Sequence, residues 1–531
     1  MSDFNEIKTP DMNEPWDGEG LPVGAKGGML AILGVLVGVA LPYLLTAVAG
    51  EESPVGEKVG MMRAWLPGDS LPFQKIFGGG KAGHHDEPAA PEGAPIAGVD
   101  GEPEVPAAPV ITIDPTPARA PGPAPATAPA PATTHPLARI HIPATTWEGL
   151  GNFIEDPSGA MRTFYDKLAK VALKDPGAIV RISHYGDSAI AADGMPSSAR
   201  RLLQRTFGDG GHGFSLAAAS NNWYRRKDIQ WSTQGFQTEV FIADEAKDER
   251  YGFAGTAAVG FQGARASWRT VEGPEGTVGT RASRFQVYYQ AMKGGGRMAL
   301  SVDGVEQQLV DTASDTKEDR VVTIEVPDGP HTFEVKNVGG GKTKIYGAVI
   351  ERSAGVVYDG LGTIGARDTR WLNMDADHVR RMIPQRGTDL GVFMYGGNQL
   401  EDKLSMERYK ESLTEVVRLW RAALDGKSCL VMSPIDHGER HRGRVRTVPR
   451  QVEIMKVQRE VALAEGCAWF SLYDAMGGNG AIGQWHDEGL AEGDLAHPTA
   501  KGAVVLGQLF FKALMQGFSG HIAGGAAEPT P

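Results

Sequence analysis

Apolar runs and amphipathic stretches alternate along the C-terminal part of the chain. Five runs are short and apolar, as buried strands are: residues 177–185, 356–362, 389–397, 429–434 and 467–476. Stretches with helical spacing of apolar residues lie at residues 196–207, from about 375, 402–424, 449–465 and 499–518. Strands that alternate with helices predict a doubly wound parallel sheet of the α/β class.

The pattern changes between residues 216 and 354. Short alternating runs such as RFQVYYQAM, DRVVTIEVPDG and HTFEVKNV are separated there by Gly, Asp and Pro turns. A period of two predicts half-buried strands, so we expect a β-sandwich inserted into the α/β domain. Residues 138–215 and 355–520 then form the α/β domain, and residues 521–531 are expected to be a flexible tail.

The N-terminal part of the chain shows neither the helical spacing nor the strand alternation of apolar residues. Residues 27–50 form an uncharged apolar run that is long enough to cross a bilayer as one helix. We expect a leader at residues 1–26 and a retained transmembrane anchor at 27–50, while small residues at Ala47 and Ala49 leave a cleaved signal peptide as the alternative. Residues 51–137 are rich in Pro and Ala, which predicts a disordered linker.

Charge and cysteine content exclude several classes of function. The net charge of -12 argues against sequence-independent binding to nucleic acid, which needs clustered Lys and Arg. Cys429 and Cys467 are too few for a disulfide framework or a thiol-ligated zinc site. They open two strands that we expect to be neighbours, so both a disulfide and two buried free thiols are compatible with the sequence.

The tripeptide Gly-Asp-Ser occurs twice in the chain. Ser70, in WLPGDSLPF, lies between two prolines of the linker, where no strand or helix would hold its hydroxyl. Ser188, in RISHYGDSAI, lies between the first predicted strand and the first predicted helix. In such a turn a nucleophile is exposed and backbone N–H groups can face an anion. Ser188 is therefore the candidate nucleophile.

Further polar residues follow the other predicted strands at the same edge of the sheet. Gly365 follows the second strand, Asn398 the third, and Asp494 and His497 the fifth. His497 could take the proton of the serine hydroxyl if Asp494 orients the imidazole. The backbone N–H groups of Ser188 and Gly365 and the amide of Asn398 could stabilise an oxyanion, and we expect glycine at 365 to permit a close approach. The set predicts acyl transfer without a metal or an organic cofactor.

The stretches YGDS, TIGAR, YGGN and DLAH, in this order, resemble the four blocks of the SGNH hydrolases, also called the GDSL esterase and lipase family. The resemblance covers about residues 140–215 and 355–520 and implies a flavodoxin-like sheet. It also implies a triad of Ser188, Asp494 and His497, with the oxyanion donors named above. Ala189 stands where the family has Leu, a small apolar residue that can still pack.

Within this family, IEDPSGAMRTFYDKL, RISHYGDS and RTFGDGGHGF resemble the bacterial extracytoplasmic branch that includes peptidoglycan and polysaccharide O-acetylesterases. That branch often carries a β-rich insertion, which implies that residues 216–354 resemble a carbohydrate-binding module. Trp223, Trp231 and Trp485 are candidate glycan contacts, and burial in the core is the alternative for each aromatic side chain.

The resemblance implies a membrane-anchored, extracytoplasmic serine esterase that removes O-acetyl groups from a cell-envelope or extracellular polysaccharide, with its N-terminus in the cytoplasm. The alternatives are an O-acetyltransferase that acts on the same glycans and a non-catalytic glycan-binding protein. His437 and His441 have the helical spacing of metal ligands, but Gly438 and Gly443 interrupt the segment. A solvated loop at the rim is the better interpretation of that segment.

Overall fold

A computed structural model describes residues 105, 108–114, 135–274 and 276–526. The predicted leader, the predicted anchor at residues 27–50, most of the predicted linker and Ser70 lie outside these residues. Within the described part of the chain, no helix is both long enough and apolar enough to cross a membrane.

Five parallel strands form the central sheet of the α/β domain, as the alternating pattern predicts. From the first to the fifth they are Ile179–Gly186, Gly355–Gly362, Leu390–Met394, Ser428–Met432 and Ala468–Phe470. Their order across the sheet is second, first, third, fourth, fifth, and every neighbouring pair is parallel. The winding direction therefore reverses between the first and third strands, and such a switch point leaves a crevice at the carboxyl edge.

Helices cover both faces of this sheet. Helices Arg162–Ala172, Gly194–Phe207 and Ala500–Ala526 pack on one face, and Ala376–Arg386, Met406–Leu424 and Pro449–Ala464 pack on the other. Shorter helices are Ser188–Ala191, Leu472–Ala475 and Ala481–Asp487, and 3-10 helices are Pro136–Arg139, Ala144–Trp147, Phe241–Ala243, Asp368–Asn373 and Asn398–Glu401. Because successive side chains of a strand point to opposite faces, Val392 packs in the core beneath the first three helices, and Phe393 packs in the core beneath the other three.

The last helix extends beyond its predicted end. It continues to Ala526, and both Phe518 and Ile522 are buried. These two side chains are four residues apart, so they lie on one face of the helix and pack against the core. The prediction of a flexible tail is therefore wrong for residues 521–526.

The insertion consists of antiparallel strands, as its period of two predicts. They are Ile229–Val240, Thr256–Thr270, Ala282–Ala291, Arg297–Val302, Val305–Asp311, Glu318–Gly329, Thr332–Gly339 and Thr343–Glu351. A ninth strand, Gly213–Ser215, precedes the predicted start of the insertion and pairs with the last of these. All nine are joined by hydrogen bonds into one sheet. Phe285 and Phe333 lie three strands apart in that sheet, about 14 Å if it were flat, yet their ring centroids are 4.8 Å apart. The sheet is therefore folded so that its two halves share a core.

A buried ion-pair cluster joins the insertion to the α/β domain. Arg386, at the end of a helix, pairs with Glu351 of the insertion and with Asp359 of the second strand, each at 2.7 Å. Arg181 of the first strand pairs with the same Glu351 at 2.8 Å. The side chains of Glu351, Asp359 and Arg386 are completely buried. Because each buried charge has a partner, the cluster fixes the last strand of the insertion against the parallel sheet.

Two further features concern the predicted linker and the two cysteines. Thr112–Ile113, inside the predicted linker 51–137, pairs antiparallel with Ile140–His141, so a disordered linker is wrong for this short stretch, whose backbone groups find a pairing strand. Cys429 and Cys467 form a disulfide between the fourth and fifth strands, with 4.8 Å between their Cα atoms. Of the two states that the sequence allowed, the structure has the disulfide.

Candidate active site

Ser188 begins the short helix Ser188–Ala191, directly after the first strand. Asp187 caps this helix, because its Oδ1 accepts a backbone N–H of the helix at 3.1 Å. A Cβ at Gly186 or at Gly362 would lie only 2.5 Å or 2.3 Å from atoms of that helix. Glycines at the ends of the first two strands therefore allow the helix to pack against the sheet, which places Ser188 at the carboxyl edge.

His497 reaches Ser188 from the segment between the fifth strand and the last helix. Its Nε2 lies 3.0 Å from Ser188 Oγ, and its Nδ1 lies 2.7 Å from Asp494 Oδ2. Asp494 Oδ1 accepts the backbone N–H groups of Ala496 and His497 at 2.9 and 3.1 Å. Burial raises the pKa of Asp494, but these hydrogen bonds outweigh burial and hold the pKa below its ordinary value. Asp494 is therefore a carboxylate at neutral pH.

Gly365 and Asn398 belong to the loops after the second and third strands. Asn398 Nδ2 donates to the Ala366 carbonyl at 3.1 Å and lies 3.4 Å from Asp187 Oδ2. The amide therefore connects the turn that contains Gly365 with the turn that contains Ser188. At Gly365 φ is +76°, and a Cβ would meet no atom within 4 Å. The structure thus accounts for glycine by its positive φ, rather than by the expected close approach of neighbouring protein atoms.

Asp187 is a buried carboxyl next to the candidate oxyanion donors. Burial raises the pKa of Asp187 to about 6, although the N–H of Ala189 and the nearby His497 oppose this shift. Its longest contact, 3.4 Å to Asn398 Nδ2, is weak. One N–H of the Asn398 amide can therefore turn to an oxyanion while the other keeps its bond to Ala366.

His437, which the sequence analysis assigned to a solvated loop at the rim, lies beside the candidate site. A Cβ at Gly397 would lie 2.8 Å from His437 Nε2, so the imidazole packs directly on the glycine that precedes Asn398. His437 Nδ1 bonds to the Ile435 carbonyl at 3.1 Å. Burial lowers the pKa of His437, and His497 lowers it further. The signal that could have revealed it is its place after the fourth strand, at the same edge as the other site loops.

The segment around His441 forms a β-hairpin. Its strands are Gly438–His441 and Arg444–Thr447. His441 is exposed on this hairpin, so the helical spacing with His437 does not apply, and a fully solvated loop is wrong for the half-buried His437. Among the described residues, no three or more His, Cys, Asp or Glu side chains form a cluster that could hold a metal ion.

The three candidate glycan contacts differ in exposure. Trp485 is only 8% exposed and its Nε1 donates to the Met476 carbonyl, so it belongs to the core and its predicted contact with glycan is wrong. Trp231 is half-buried and its Nε1 donates to the Leu216 carbonyl. Trp223 is 72% exposed. Only Trp223 therefore presents a free ring face of the kind that stacks on sugars.

The arrangement at the carboxyl edge suits acyl transfer. A serine hydroxyl within hydrogen-bonding distance of an imidazole can lose its proton to that base as it attacks a carbonyl carbon. A carboxylate on the far ring nitrogen fixes the tautomer and stabilises the imidazolium that forms. The structure brings Ser188, His497 and Asp494 into these contacts, with Asn398 beside them.

Comparison with known proteins identifies the class. Residues 316–505 match the model of the GDSL-like lipase/acylhydrolase family. This match begins inside the insertion and ends in the last helix, and it does not include Ser188. The chain carries an SGNH hydrolase domain and is a carboxylic-ester hydrolase. No match is found among the curated proteins.

One of three similar solved structures supports the same fold. A peptidoglycan O-acetylesterase is 22% identical, matches over 70% of this chain and 100% of its own, and has a TM-score of 0.60. A family-two carbohydrate esterase from Cellvibrio japonicus is 11% identical over 55% of this chain and 99% of its own, with a TM-score of 0.24. A CBM6 domain of a laminarinase from Zobellia galactanivorans is 12% identical over 23% of this chain and 99% of its own, with a TM-score of 0.16. The last two scores are too low to support a conclusion.

Proposed function

We propose that this protein is a membrane-anchored, extracytoplasmic serine esterase that removes O-acetyl or similarly short acyl groups from a polysaccharide. The observation that carries the proposal is the hydrogen-bonded series Ser188, His497 and Asp494 at the carboxyl edge of the sheet. Its side chains face solvent, since His497 is 48% and Asp494 50% exposed.

In the first half of the proposed reaction, Ser188 Oγ attacks the carbonyl carbon of the ester and its proton passes to His497 Nε2. The tetrahedral oxyanion is stabilised by the backbone N–H groups of Ser188 and Gly365 and by Asn398. The bond between the carbonyl carbon and the sugar oxygen then breaks, and His497 gives its proton to that oxygen. An acyl-Ser188 intermediate and a free sugar hydroxyl result.

In the second half, His497 takes a proton from water as the water attacks acyl-Ser188. The bond to Ser188 Oγ breaks, carboxylic acid leaves, and the proton returns from His497 to Ser188. An O-acetyltransferase would use a sugar hydroxyl in place of this water. The exposure of Asp494 and His497 favours water, which makes hydrolysis the better proposal.

Four observations support the substrate class and location. The solved peptidoglycan O-acetylesterase shares the fold, which makes O-acetyl esters of envelope glycans the first substrates to test. The Cys429–Cys467 disulfide suits an oxidising compartment outside the cytoplasm. Residues 27–50 have the length and composition of a membrane span. Trp223 in the insertion is exposed and suits stacking on a sugar ring.

The test is hydrolysis of p-nitrophenyl acetate and release of acetate from acetylated glycans by the full chain. Ser188→Ala is expected to lower kcat by about a thousandfold or more, because the nucleophile is removed. Ser70→Ala is the matched control, and we expect it to keep full activity. Equal activity of the Ser188→Ala variant and the parent would overturn the site. Transfer of acetyl to an added glycan acceptor, instead of release as acetate, would show the transferase.

A further inference from the structure

A β-hairpin starts directly beside the candidate triad. We call residues 438–447 the cationic hairpin, whose strands are Gly438–His441 and Arg444–Thr447. At its base, the Gly438 N–H donates to the Leu495 carbonyl at 2.8 Å, and Leu495 immediately follows Asp494. A four-residue strand is about 13 Å long, so the tip of the hairpin lies within about 13 Å of this base.

Packing against a neighbouring helix holds the hairpin in place. A Cβ at Gly483 would lie 2.7 Å from Val445 Cβ, and one at Gly438 would lie 2.6 Å from Ile482 Cγ2. The backbone N–H of Thr447 also bonds to Asn479 Oδ1 at 3.0 Å. Its position relative to the candidate triad is therefore fixed by contacts on one side and by the Leu495 hydrogen bond at its base.

The hairpin is strongly basic in an acidic protein. It contains four arginines and one glutamate, whereas the whole chain has a net charge of -12. Glu439 pairs with Arg446 at 2.6 Å. Arg440, Arg442 and Arg444 are exposed, and within the described part of the chain no acidic side chain pairs with any of them. Three guanidinium groups therefore face solvent without a partner.

Several other exposed arginines of the α/β domain have acidic partners, although Arg162, Arg205 and Arg408, which lie far apart along the chain, have none among the described residues. Arg380 pairs with Asp377, Arg418 with Glu465 and Arg459 with Glu155. Three unpaired arginines on one short hairpin repel each other unless an anion lies between them. Guanidinium groups bind carboxylates and phosphates through paired N–H donors. A neutral sugar lacks the paired, negatively charged oxygen acceptors that these donors match.

We infer that the cationic hairpin binds anionic groups, carboxylate or phosphate, of the glycan from which the esterase removes acyl groups. The inference rests on the proposed function and narrows its substrate to a polyanionic glycan. A fixed hairpin next to the triad binds negatively charged units on the same strand as the acylated sugar and so orients the ester at Ser188. The overall negative charge of the protein repels such a polymer elsewhere, which confines binding to this edge.

The test compares binding of matched polymers to the full chain by calorimetry. The probes are polygalacturonate, its carboxyl-reduced neutral counterpart, and a phosphorylated dextran beside plain dextran. We expect polygalacturonate or phosphorylated dextran to bind at least about tenfold more tightly than its neutral counterpart, because three exposed ion pairs contribute. The charged polymer that binds more tightly identifies carboxylate or phosphate. Binding of the charged polymer should weaken as salt is added.

The variant with Arg440→Gln, Arg442→Gln and Arg444→Gln should lose about tenfold in affinity for the charged polymer and keep its rate with p-nitrophenyl acetate. The control carries Arg380→Gln, Arg418→Gln and Arg459→Gln, which changes the net charge equally and should keep full affinity. Equal binding of charged and neutral polymers, or equal losses in both variants, would overturn the inference.

Further results distinguish the hairpin inference from a membrane-binding role and from failure of the proposed function. Hairpin variants that lose binding to anionic phosphatidylglycerol vesicles, but not to the charged polymer, would assign the hairpin to a membrane surface and overturn a glycan role. If the Ser188→Ala variant retains activity, the proposed function fails, whatever the hairpin binds. If p-nitrophenyl acetate is hydrolysed through Ser188 but charge makes no difference to polymer binding, only the hairpin inference fails.

Discussion

Two ionic groups in this molecule have the same contact distance and opposite surroundings. His497 Nδ1 and Asp494 Oδ2 are 2.7 Å apart and about half exposed. Arg386 lies 2.7 Å from both Glu351 and Asp359, and all three side chains are completely buried. Distance alone therefore does not distinguish a candidate catalytic pair from a structural one.

Burial and the remaining partners make the difference. Burial raises the pKa of Glu351, but Arg386 and Arg181 outweigh it and lower the pKa to about 2, so Glu351 keeps its charge at neutral pH. His497, by contrast, has a ring nitrogen that faces the Ser188 hydroxyl. In the proposed mechanism the exposed pair passes a proton to the substrate, whereas the buried cluster holds the insertion on the sheet. Three changes test this comparison, in order of decreasing effect.

Asp494→Asn should cause the largest effect, and only on activity. The amide cannot stabilise an imidazolium, so kcat for p-nitrophenyl acetate should fall by about 10³–10⁴-fold. The urea midpoint of unfolding should stay near that of the parent, because the pair is exposed and contributes little to stability. A large loss of stability would show that the pair is structural after all.

Arg386→Met should cause the reverse, a large effect on stability and little on the activity of the folded fraction. The substitution leaves Glu351 and Asp359 buried without this partner, which should lower the free energy of unfolding by about 3–5 kcal/mol. Urea unfolding measures the change. Arg418→Met, which breaks the exposed pair with Glu465, is the control and should leave stability unchanged. An Arg386→Met variant as stable as the parent would contradict the structural role of the cluster.

Asp187→Asn should cause the smallest effect, visible as a pH dependence. Burial raises the pKa of Asp187 to about 6, so the folded protein holds this proton more tightly than the unfolded chain does. The stability associated with this carboxyl is complete below a pH of about 4 and is lost as the pH rises through about 6. The variant should therefore be more stable than the parent at pH 7.5, by up to about 3 kcal/mol, and this advantage should shrink toward pH 4. A difference in stability between variant and parent that does not vary with pH would show that burial does not raise the pKa of Asp187.

Much of the fold could be predicted from local pattern. All five parallel strands and the five predicted helices begin within a few residues of their predicted positions, because apolar periodicity reports which face of each element is buried. The helix Arg162–Ala172 was not predicted. The order of Ser188, Gly365, Asn398, Asp494 and His497 along the chain also indicated one shared edge, since parallel strands end on the same side.

The features that the sequence did not predict depend on contacts between residues that are distant in sequence. Trp485 looks like a rim residue beside the Asp494 loop, yet its ring lies in the core. His437 looks solvated because Gly438 follows it, yet it packs on Gly397. The disulfide depends on the register of two neighbouring strands, which no local pattern contains.

The sequence by itself determined the class of fold, the insertion and the residues capable of chemistry, because periodicity and residue type are local properties. Only the tertiary structure decided that Ser188 and His497, 309 residues apart, lie 3.0 Å apart. It also decided that Asp187 is buried and that three arginines of one hairpin are left without acidic partners among the described residues. Burial and pairing are properties of the packed chain, and they convert a list of polar residues into a site.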